Sequence, residues 1–267
     1  MRGKKKEGVV IKLGGSVITP KRSGRQVVRK EVVLRIGKEI VETGIQRVVI
    51  VHGAGSFGHT VVNKTGINKG IKGRKGLVDW SSAQLVQNKL NVMVTEILLQ
   101  AGIPAFAFQP TGIVVLKAGK IQRLEKFVLE ELVSLGLVPV LYGIPAYDRE
   151  RKCTILSGDT IAPVIAEILG IDYVVYATDV DGVYDSDPKI NPCAKRIPVI
   201  NRENWKKIEK LVGGSACVDV TGGMKGKIKE MIEWARKGVK ARIVNALIPG
   251  RISKAIKGEN VGTFIRW

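Results

Sequence analysis

The chain has 267 residues, of which 45% are hydrophobic and 31 are glycine, so it is not a disordered chain and is long enough for one large α/β domain or two coupled lobes. Its formal charge of +20 favours anionic partners in general, but aromatic residues are only 5% of the chain, too few for the stacking surfaces of a dedicated nucleic-acid binder. No apolar run is long enough to cross a membrane, and three widely spaced cysteines (Cys153, Cys193 and Cys217) indicate reduced thiols in a cytoplasmic protein instead of a disulfide framework.

The first half of the chain alternates strand and helix patterns. The apolar run from Val9 to Leu13 predicts a first strand, and a helix follows whose apolar residues recur on one face until Gly44. A second β-branched run ends in the glycine turn 53–56, and a basic, glycine-containing loop 64–76 precedes the next helix. The predicted elements of this half are strand 9–13, helix 29–42, strand 47–52, helix 81–101, strand 105–108, a hairpin around 118–120, helix 124–135 and strand 137–142.

The second half continues the alternation. The break near 143–153, which contains a charged turn at 147–153, is the best candidate for a boundary. It divides a single domain into approximate lobes 1–147 and 148–267. The predicted elements after it are a helix that opens at 157–159 and ends at Gly170, strand 173–177, helices 201–212 and 224–237, and strands 240–245 and 261–265. Because strands alternate with helices, the pattern indicates βαβ units, a mainly parallel sheet and the α/β fold class.

Small and charged residues cluster where predicted strands end or predicted helices begin. The five clusters are 14–16, 53–59, 157–159, 178–182 and 219–227. In parallel α/β sheets, ligands bind outside the carboxyl ends of the strands, and a glycine turn before a helix lets backbone N–H groups approach a phosphate. Two such turns on neighbouring strands would hold two phosphate groups close together, which is the geometry that phosphoryl transfer needs.

Other nucleotide-binding motifs fit the sequence less well. Gly53, Gly55 and Gly58 match the spacing of the dinucleotide fingerprint, but Asp79, the acidic residue at the required distance, has no strand before it. The P-loop pattern and the protein-kinase motifs His-Arg-Asp and Asp-Phe-Gly are absent from the sequence. The clusters therefore indicate a phosphate-binding α/β protein of another kind.

Four motifs together resemble the signature of the amino-acid kinases over nearly the whole chain. They are Lys12-Leu13-Gly14-Gly15-Ser16, Ser157-Gly158-Asp159, the run from Thr178 to Tyr184, and Thr221-Gly222-Gly223-Met224 with Lys227. A fifth motif, VHGAGSFGH at 51–59, is similar to that of the isopentenyl phosphate kinases and the related fosfomycin kinases, whose acceptors already carry a phosphate or phosphonate. The resemblance implies an open three-layer αβα sandwich with an acceptor site in the N-terminal lobe. It also implies ATP with Mg²⁺ in the C-terminal lobe, and a homodimer.

The resemblance further implies a role for each motif position. Lysines would contact the transferring phosphoryl group, an aspartate would orient them and a histidine would hold the acceptor phosphate. The implied catalytic residues are Lys12, Lys21, His59, Asp159 and Lys227. The implied ATP-binding residues are Lys12, Gly14, Gly15, Ser16, Gly55, Asp159, Asp179, Gly223 and Lys227. The implied acceptor-binding residues are Ala54, Gly55, His59 and Gly158, and no side chain is assigned to a metal ion.

Two positions depart from the family pattern. Ala54 replaces the middle glycine of the acceptor turn, and Thr160 stands where a second aspartate is common. The reaction that we expect is the ATP-dependent phosphorylation of isopentenyl phosphate. The alternatives are a kinase of the same fold for another phosphate, phosphonate, carboxylate or nucleotide, a sensor that binds such ligands without catalysis, and a nucleic-acid binder suggested by the charge.

Overall fold

The computed structural model describes residues 7–20, 26–67, 70–71, 73–186, 188, 191–213 and 224–267. Within these ranges it does not describe the side chains of His59, Thr60, Asn63, Lys64, Val212, Met224 and Lys225. The predicted site residues Lys21 and Gly223 lie outside the described residues, as do Cys217 and the side chain of His59.

The described chain alternates strands and helices through most of its length. Its strands are β1 (Val9–Leu13), β2 (Val48–His52), β3 (Ala105–Ala107), β4 (Val114–Lys117), β5 (Lys120–Leu124), β6 (Val138–Tyr142), β7 (Ile144–Asp148), β8 (Lys152–Leu156), β9 (Tyr173–Thr178), β10 (Val199–Ile200), β11 (Lys240–Asn245) and β12 (Thr263–Ile265). Its helices are α1 (Gly15–Ile18), α2 (Lys30–Glu42), α3 (Gly55–Thr65), α4 (Gly73–Gln100), α5 (Phe127–Ser134), α6 (Gly158–Ile168), α7 (Trp205–Gly213), α8 (Met224–Arg236) and α9 (Arg251–Ile256). None of these helices, within the described ranges, combines the length and the apolar surface that a bilayer crossing requires.

The large sheet joins the two halves of the chain. Its described strands run in the order β10-β12-β11-β9-β1-β2-β6-β3. The first strand of the chain, β1, lies in the middle and is parallel to both of its neighbours, β2 and β9. Among the described strands of this sheet, β11 and β12 form the antiparallel pair. Because the chain continues to β2 on one side of β1 and returns as β9 on the other, the carboxyl end of β1 is a switch point where α/β proteins bind ligands.

Helices cover both faces of this sheet, and the alternation along β1 determines which side chain meets which layer. Val9, Ile11 and Leu13 pack in one core cluster with residues of α2, α4 and α9, whereas Val10 packs in another with residues of α6 and α8. Side chains alternate along a strand, so Lys12 lies on the same face as Val10, toward α6. The predicted α/β class and three-layer αβα sandwich are confirmed.

A smaller sheet consists of two antiparallel hairpins, in the order β5-β4-β7-β8. The hairpins join where Leu116 pairs with Asp148. The buried carboxylate of Asp148 accepts five hydrogen bonds, at 2.7 to 3.2 Å, from the backbone of Ala118, Gly119, Glu150 and Arg151 and from the hydroxyl of Thr154. Burial raises the pKa of Asp148, but these donors lower it more, so the net pKa lies well below its usual value. One carboxylate therefore fixes the turns of both hairpins.

Helices α3, α4 and α9 and the hairpin of β7 and β8 differ from the predictions made from the sequence. Residues 55–65 form helix α3, where a glycine turn and a basic loop were expected, and α4 begins at Gly73, well before the predicted start at 81. The charged turn at 147–153 joins β7 to β8, which were not predicted as a hairpin, and α9 was not predicted at all. The proposed boundary between residues 147 and 148 falls inside β7, and the division of functions between two lobes stays a prediction.

Candidate active site

Two glycine turns meet at the carboxyl ends of β1 and β2. A Cβ atom on Gly15 would lie 2.7 Å from the backbone nitrogen of Gly55, and a Cβ atom on Gly53 would lie 2.8 Å from the backbone nitrogen of Gly15. A side chain at either position would force the turns apart, so glycine permits a backbone-to-backbone contact here. As a result, α1 and α3 begin side by side.

Thr19, which directly follows α1, connects the two turns. Its hydroxyl donates to the carbonyl of Gly15 at 2.8 Å and accepts from the backbone N–H of Ser56 at 2.9 Å. Gly55 has a φ of +53°, and a Cβ atom there would collide with the Thr19 side chain. The sequence analysis did not identify Thr19 as a site residue. The motif ends at Ser16, and nothing in the sequence pattern shows that Thr19 contacts both glycine turns.

Lys12, Asp159 and Lys227 form an ion-paired cluster at the switch point. Lys12 Nζ lies 2.6 Å from Asp159 Oδ1, and Lys227 Nζ lies 3.3 Å from Asp159 Oδ2. The side chains of Lys12 and Asp159 are 7% and 15% exposed, whereas that of Lys227 is 41% exposed. Three segments that are distant in the sequence therefore supply two cations around one anion, and the more exposed lysine is the one free to turn toward a ligand.

The first turn of α6 holds Asp159 in place. The Ser157 hydroxyl caps the helix by accepting from the Asp159 N–H at 3.1 Å, and a negative charge is favourable at this end of a helix. Burial raises the pKa of Asp159, but the ammonium groups of Lys12 and Lys227 lower it more, so the net pKa lies below its usual value. The carboxylate therefore stays ionised and able to orient both lysines.

The ends of β9 and β2 complete the edge of the site. Ser16 Oγ donates to Asp179 Oδ1 at 2.9 Å, and Asp179 directly follows β9, the neighbour of β1. On the other side, a Cβ atom on Gly158 would lie 3.0 Å from the carbonyl oxygen of His52, so α6 begins against the end of β2. The motif segments after β1, β2, β8 and β9 thus converge on one edge of the sheet.

The Ala54 departure is accommodated inside α3. Ala54 has the backbone conformation of an ordinary residue, with a φ of −70° and a ψ of −19°, so the turn does not require glycine there. Its methyl group occupies the space beside Gly58, where a Cβ atom would collide with it. The Ala54 methyl group therefore packs against Gly58, and the absence of a side chain at Gly58 leaves room for it.

Glu230 is a site residue that no motif indicated, although it follows Lys227 by three positions and so shares its helix face. The two line a narrow cleft together with Asp159, Tyr176 and Met231. Burial and the nearby charge of Asp159 raise the pKa of Glu230, while a hydrogen bond from Thr160 lowers it, and the net pKa is raised. Burial and the two carboxylates also raise the pKa of Tyr176 well above its usual value. Thr160 thus donates to a carboxyl group that a second aspartate would repel.

The structure brings together the predicted site residues that it describes. At the carboxyl end of β1 and around it lie Lys12, Gly14, Gly15, Ser16, Ala54, Gly55, Gly158, Asp159, Asp179 and Lys227. His59 belongs by its backbone to the first half of α3. Its side chain, Lys21 and Gly223 lie outside the described residues, so their positions stay predictions.

Comparisons with known proteins connect this geometry to a family. The model of the amino acid kinase family matches residues 7–245. An isopentenyl phosphate kinase of Methanothermobacter thermautotrophicus is 38% identical over 259 residues, which cover 95% of this chain and 96% of that protein. One of Methanocaldococcus jannaschii is 32% identical over 268 residues, which cover 96% of this chain and 97% of that protein. An X-ray structure of isopentenyl phosphate kinase matches with a TM-score of 0.82 at 35% identity, covering 96% of this chain and 99% of the other. The chain belongs to the amino acid kinase family, in the branch of the isopentenyl phosphate kinases.

Proposed function

We propose that this protein transfers the γ-phosphoryl group of ATP to isopentenyl phosphate and releases isopentenyl diphosphate and ADP. The observation that carries the proposal is the pairing of Lys12 and Lys227 with Asp159, next to two glycine turns in direct contact. Transfer between two phosphates concentrates negative charge in a small volume, and cations held in advance offset it. The names of the relatives supply the identity of the acceptor.

The nucleotide would bind at the turn after β1 and at the start of α8. In this proposal Gly15 and Ser16 offer backbone N–H groups to the phosphates, and Lys227 reaches them from α8. Gly14 shapes the turn, and its own N–H donates to the Ala177 carbonyl at 2.8 Å. Asp159 orients the lysines, and Asp179, held by Ser16, faces the nucleotide. Gly55, Gly223 and the second lysine, Lys21, are further parts of this proposed site.

The acceptor phosphate would bind at the turn after β2. Ala54, Gly55 and Gly158 surround this position, and His59 would donate a hydrogen bond to the phosphate. The N-terminal end of α3 favours an anion through its dipole. The short distance between the two turns sets the acceptor phosphate close to the γ-phosphate of the nucleotide, in reach of Lys12.

The chemistry requires no strong general base. The second pKa of a phosphate monoester is about 6, so its oxygen is already a nucleophile at neutral pH. That oxygen attacks the γ-phosphorus; a new P–O bond forms while the bond to the oxygen that bridges the β- and γ-phosphates breaks, and ADP leaves with that oxygen. Lys12, Lys21 and Lys227 would stabilise the charge on the transferring group.

Mg²⁺ would accompany ATP. In the part of the chain that the structure describes, no group of three or more acidic, histidine or cysteine side chains is arranged to hold a metal ion. Mg²⁺ commonly binds through nucleotide phosphates with few protein ligands, so this site suits a metal that arrives with the nucleotide. When bound, the ion would offset the negative charge of the phosphates.

An apolar cluster beside α3 supports an acceptor with a hydrocarbon tail. Ile67, Ala83 and Cys153 are buried together between the end of α3, the start of α4 and β8. Partly buried apolar side chains pack around them: Val61, Val62, Ile71 and Trp80. The partly buried members of this cluster would desolvate an isopentenyl group that reached them.

The protein would act as a cytoplasmic homodimer. An exposed apolar stripe on α4, formed by Leu85, Val92 and Leu99 at intervals of seven residues, supports a second copy as the partner. Phe106 is also exposed, on β3, the edge strand of the large sheet, which contacts α4. Burying this patch would remove an exposed apolar surface and a sheet edge at the same time. Sedimentation analysis tests this: Val92→Glu should give monomers, and an unchanged mass would count against the interface.

The acceptor is tested by coupled assays of ATP consumption with isopentenyl phosphate, dimethylallyl phosphate, fosfomycin, UMP and acetylglutamate. We expect the highest kcat/KM with isopentenyl phosphate and a diphosphate product in the phosphorus NMR spectrum. A higher kcat/KM with UMP or acetylglutamate would contradict the proposed acceptor. Binding of these ligands without ATP consumption would instead indicate a sensor, and tight, steeply salt-dependent binding of duplex DNA would favour the nucleic-acid alternative.

The proposed role of His59 has a separate test. His59→Ala should lower kcat/KM for the acceptor about 100-fold or more, with the Kd for ATP changed less than about twofold, since the lost contact is to the acceptor. Thr65→Ala is a matched control on the same helix, where the Thr65 hydroxyl donates to the Val61 carbonyl. Normal turnover by the His59 variant would remove the histidine from the mechanism.

A further inference from the structure

His52, the last residue of β2, is a buried imidazole that the proposed reaction does not use. Its side chain is fully buried, and its Nδ1 lies 2.9 Å from the carbonyl oxygen of the next residue, Gly53. A carbonyl oxygen accepts hydrogen bonds and cannot donate them, so Nδ1 carries the proton. The ring therefore holds the first residue of the acceptor turn.

Asn91 of α4 contacts the other ring nitrogen of His52. The Asn91 side-chain nitrogen lies 3.2 Å from His52 Nε2 and 2.9 Å from the carbonyl oxygen of Val140. Both hydrogens of the amide nitrogen are then used, and Nε2 is left to accept. This arrangement requires a neutral imidazole with its proton on Nδ1, and burial favours it by lowering the pKa of His52 to about 4.

Tyr142 of β6 fixes the plane of the same ring. The two rings stack with centroids 5.4 Å apart and planes 12° apart, and the Tyr142 hydroxyl donates to Asn88 Oδ1 at 2.5 Å. Asn88 and Asn91 are three residues apart on α4, so one helix binds both rings: Asn91 binds His52 and Asn88 binds Tyr142. The imidazole is thus constrained by position, plane and tautomer.

The backbone of His52 joins this network to the ion-paired cluster. Its carbonyl oxygen accepts from the Gly143 N–H at 3.0 Å, and Gly158 packs so closely on it that a Cβ atom there would lie 3.0 Å away. Asp159 is the next residue along α6. His52 therefore contacts the acceptor turn, α4 and the segment that carries the aspartate.

We propose that His52 is a positioning residue for the acceptor: its Nδ1–H holds the Gly53 carbonyl, and Asn91 and Tyr142 hold the ring, so that the turn 53–55 keeps the geometry that seats the acceptor phosphate. The proposal rests on the proposed function for the identity of that phosphate. If His52 only fills space, its loss should change the KM values for the acceptor and for ATP alike. If His52 positions the turn, its loss should raise the acceptor KM more than the KM for ATP.

Two substitutions separate these possibilities. In His52→Asn, the amide nitrogen sits at the same number of bonds from the backbone as Nδ1 and can still donate to Gly53, but the ring is lost. In His52→Phe, the ring and its stacking on Tyr142 remain, but both hydrogen bonds are lost. We expect His52→Phe to raise the acceptor KM about tenfold while the KM for ATP changes less than about twofold, and His52→Asn to stay within about threefold of wild type in both.

The thermal midpoint of each variant is measured beside its kinetics. The proposal expects the acceptor KM to follow the Gly53 hydrogen bond and not the midpoint. It is overturned if His52→Phe keeps the wild-type acceptor KM, or if both KM values rise together in proportion to the loss of stability. Asn91→Leu, which frees one side of the ring, replaces His52→Phe should that variant fail to fold, and it should also raise the acceptor KM selectively.

A readout that needs no turnover keeps this test separate from the proposed function. The chain has two histidines, so nitrogen-15 NMR of wild type and His59→Ala assigns the His52 ring directly. The proposal expects a proton on Nδ1 and none on Nε2 at pH 7; the opposite tautomer overturns it. Failure of wild type to phosphorylate isopentenyl phosphate would refute only the proposed function, and the variants would then be compared on whichever acceptor of the panel is consumed.

Discussion

Asp159 and Asp148 are both shielded carboxylates that carry a lowered pKa, yet they are stabilised in different ways. Asp159 is held by the ammonium groups of two lysines from β1 and α8. Asp148 is held by backbone N–H groups and one hydroxyl from the turns of two hairpins. In both cases burial raises the pKa and the partners lower it more.

The difference lies in what the partners can do next. Lysine side chains rotate, and Lys227 is 41% exposed, so its charge can be shared between Asp159 and an incoming phosphate. Backbone N–H groups of tight turns cannot leave Asp148 without unfolding the turns. A carboxylate held by mobile cations is therefore suited to ligand binding, and one held by peptide groups is suited to structure.

The largest effect is expected from the loss of the Asp159 charge. Asp159→Asn keeps the shape but no longer orients two lysines, so kcat should fall about 100- to 1,000-fold with little loss of folded protein. Steady-state kinetics and circular dichroism measure the two quantities. Asp172→Asn, which removes the partner of Lys240 at the protein surface, is the control and should leave kcat unchanged. A near-normal kcat in Asp159→Asn would show that the Asp159 carboxylate is not needed for catalysis.

Lys227 tests whether the mobile cation is the one that reaches the nucleotide. Lys227→Ala should lower kcat/KM for ATP about 10- to 100-fold, because a charge-assisted contact to the phosphates is lost. Lys229→Ala is the matched control: it lies on the same helix and pairs with Glu209 at 3.0 Å. Equal effects of the two substitutions would show that the charge of α8, and not the position of Lys227, matters.

Asp148→Asn should give the reverse result, a loss of stability with little loss of activity per folded molecule. An amide nitrogen cannot accept, so at least one of the backbone donors of the hairpin turns loses its partner in a buried place. The thermal midpoint should fall further than in Asp172→Asn, while kcat stays within about twofold of wild type. A large drop in kcat with an unchanged midpoint would reverse the assignment.

Acid denaturation sharpens the comparison, because the carboxylates and His52 act in different pH windows. The pKa of His52 is lowered to about 4, so its stabilisation is complete above the unfolded pKa of about 6.5 and is lost as the pH falls toward 4, by about 3 kcal/mol. The carboxylates have lowered pKa values, so their stabilisation persists until the pH falls below about 5. Urea unfolding between pH 7 and pH 4 should show the His52-dependent loss of unfolding free energy in wild type and His59→Ala but not in His52→Phe.

The smallest effect is expected at Thr160. Thr160→Val keeps the volume but removes the donor to Glu230, so the free energy of unfolding should fall by about 1 kcal/mol and kcat by no more than about threefold. In a double-mutant cycle with Glu230→Met, which removes the acceptor, the effect of Thr160→Val should largely vanish. Additive effects would mean that the two side chains do not interact.

The sequence was sufficient to predict which residues come together where charged side chains stand at the ends of predicted strands or the starts of predicted helices. Lys12 and Asp159 follow from motifs at the ends of predicted elements, and the rule that ligands bind at carboxyl ends of parallel strands predicts that these motifs converge. The resemblance to a family added the roles. The sequence could not supply Glu230, whose raised pKa depends on burial and on the nearby charge of Asp159 on another helix. By sequence alone, Glu230 resembles any surface glutamate.

Elements that depend on distant partners were missed for the same reason. Helix α3 begins with glycines of poor helix propensity, and it is stabilised by close packing of Gly58 against Gln87 of α4. Helix α9 has six residues and is capped by Glu39, whose carboxylate accepts from the N–H groups of Gly250 and Ile252 at 2.9 and 3.0 Å. Local sequence contains neither contact, so neither helix could be predicted from it.

The backbone contact between Gly15 and Gly55 makes the distance between the proposed donor and acceptor sites a property of the backbone. A Cβ atom on Gly15 would lie 2.7 Å from the Gly55 nitrogen, and the Thr19 hydroxyl bonds to both turns, so no residue larger than glycine fits at Gly15 without moving the turns apart. The other walls of the proposed acceptor site would be apolar side chains on α4 and β8, such as Ala83 and Cys153. Directed evolution toward bulkier acceptors should therefore yield active variants from libraries at those walls and few from libraries at the glycines.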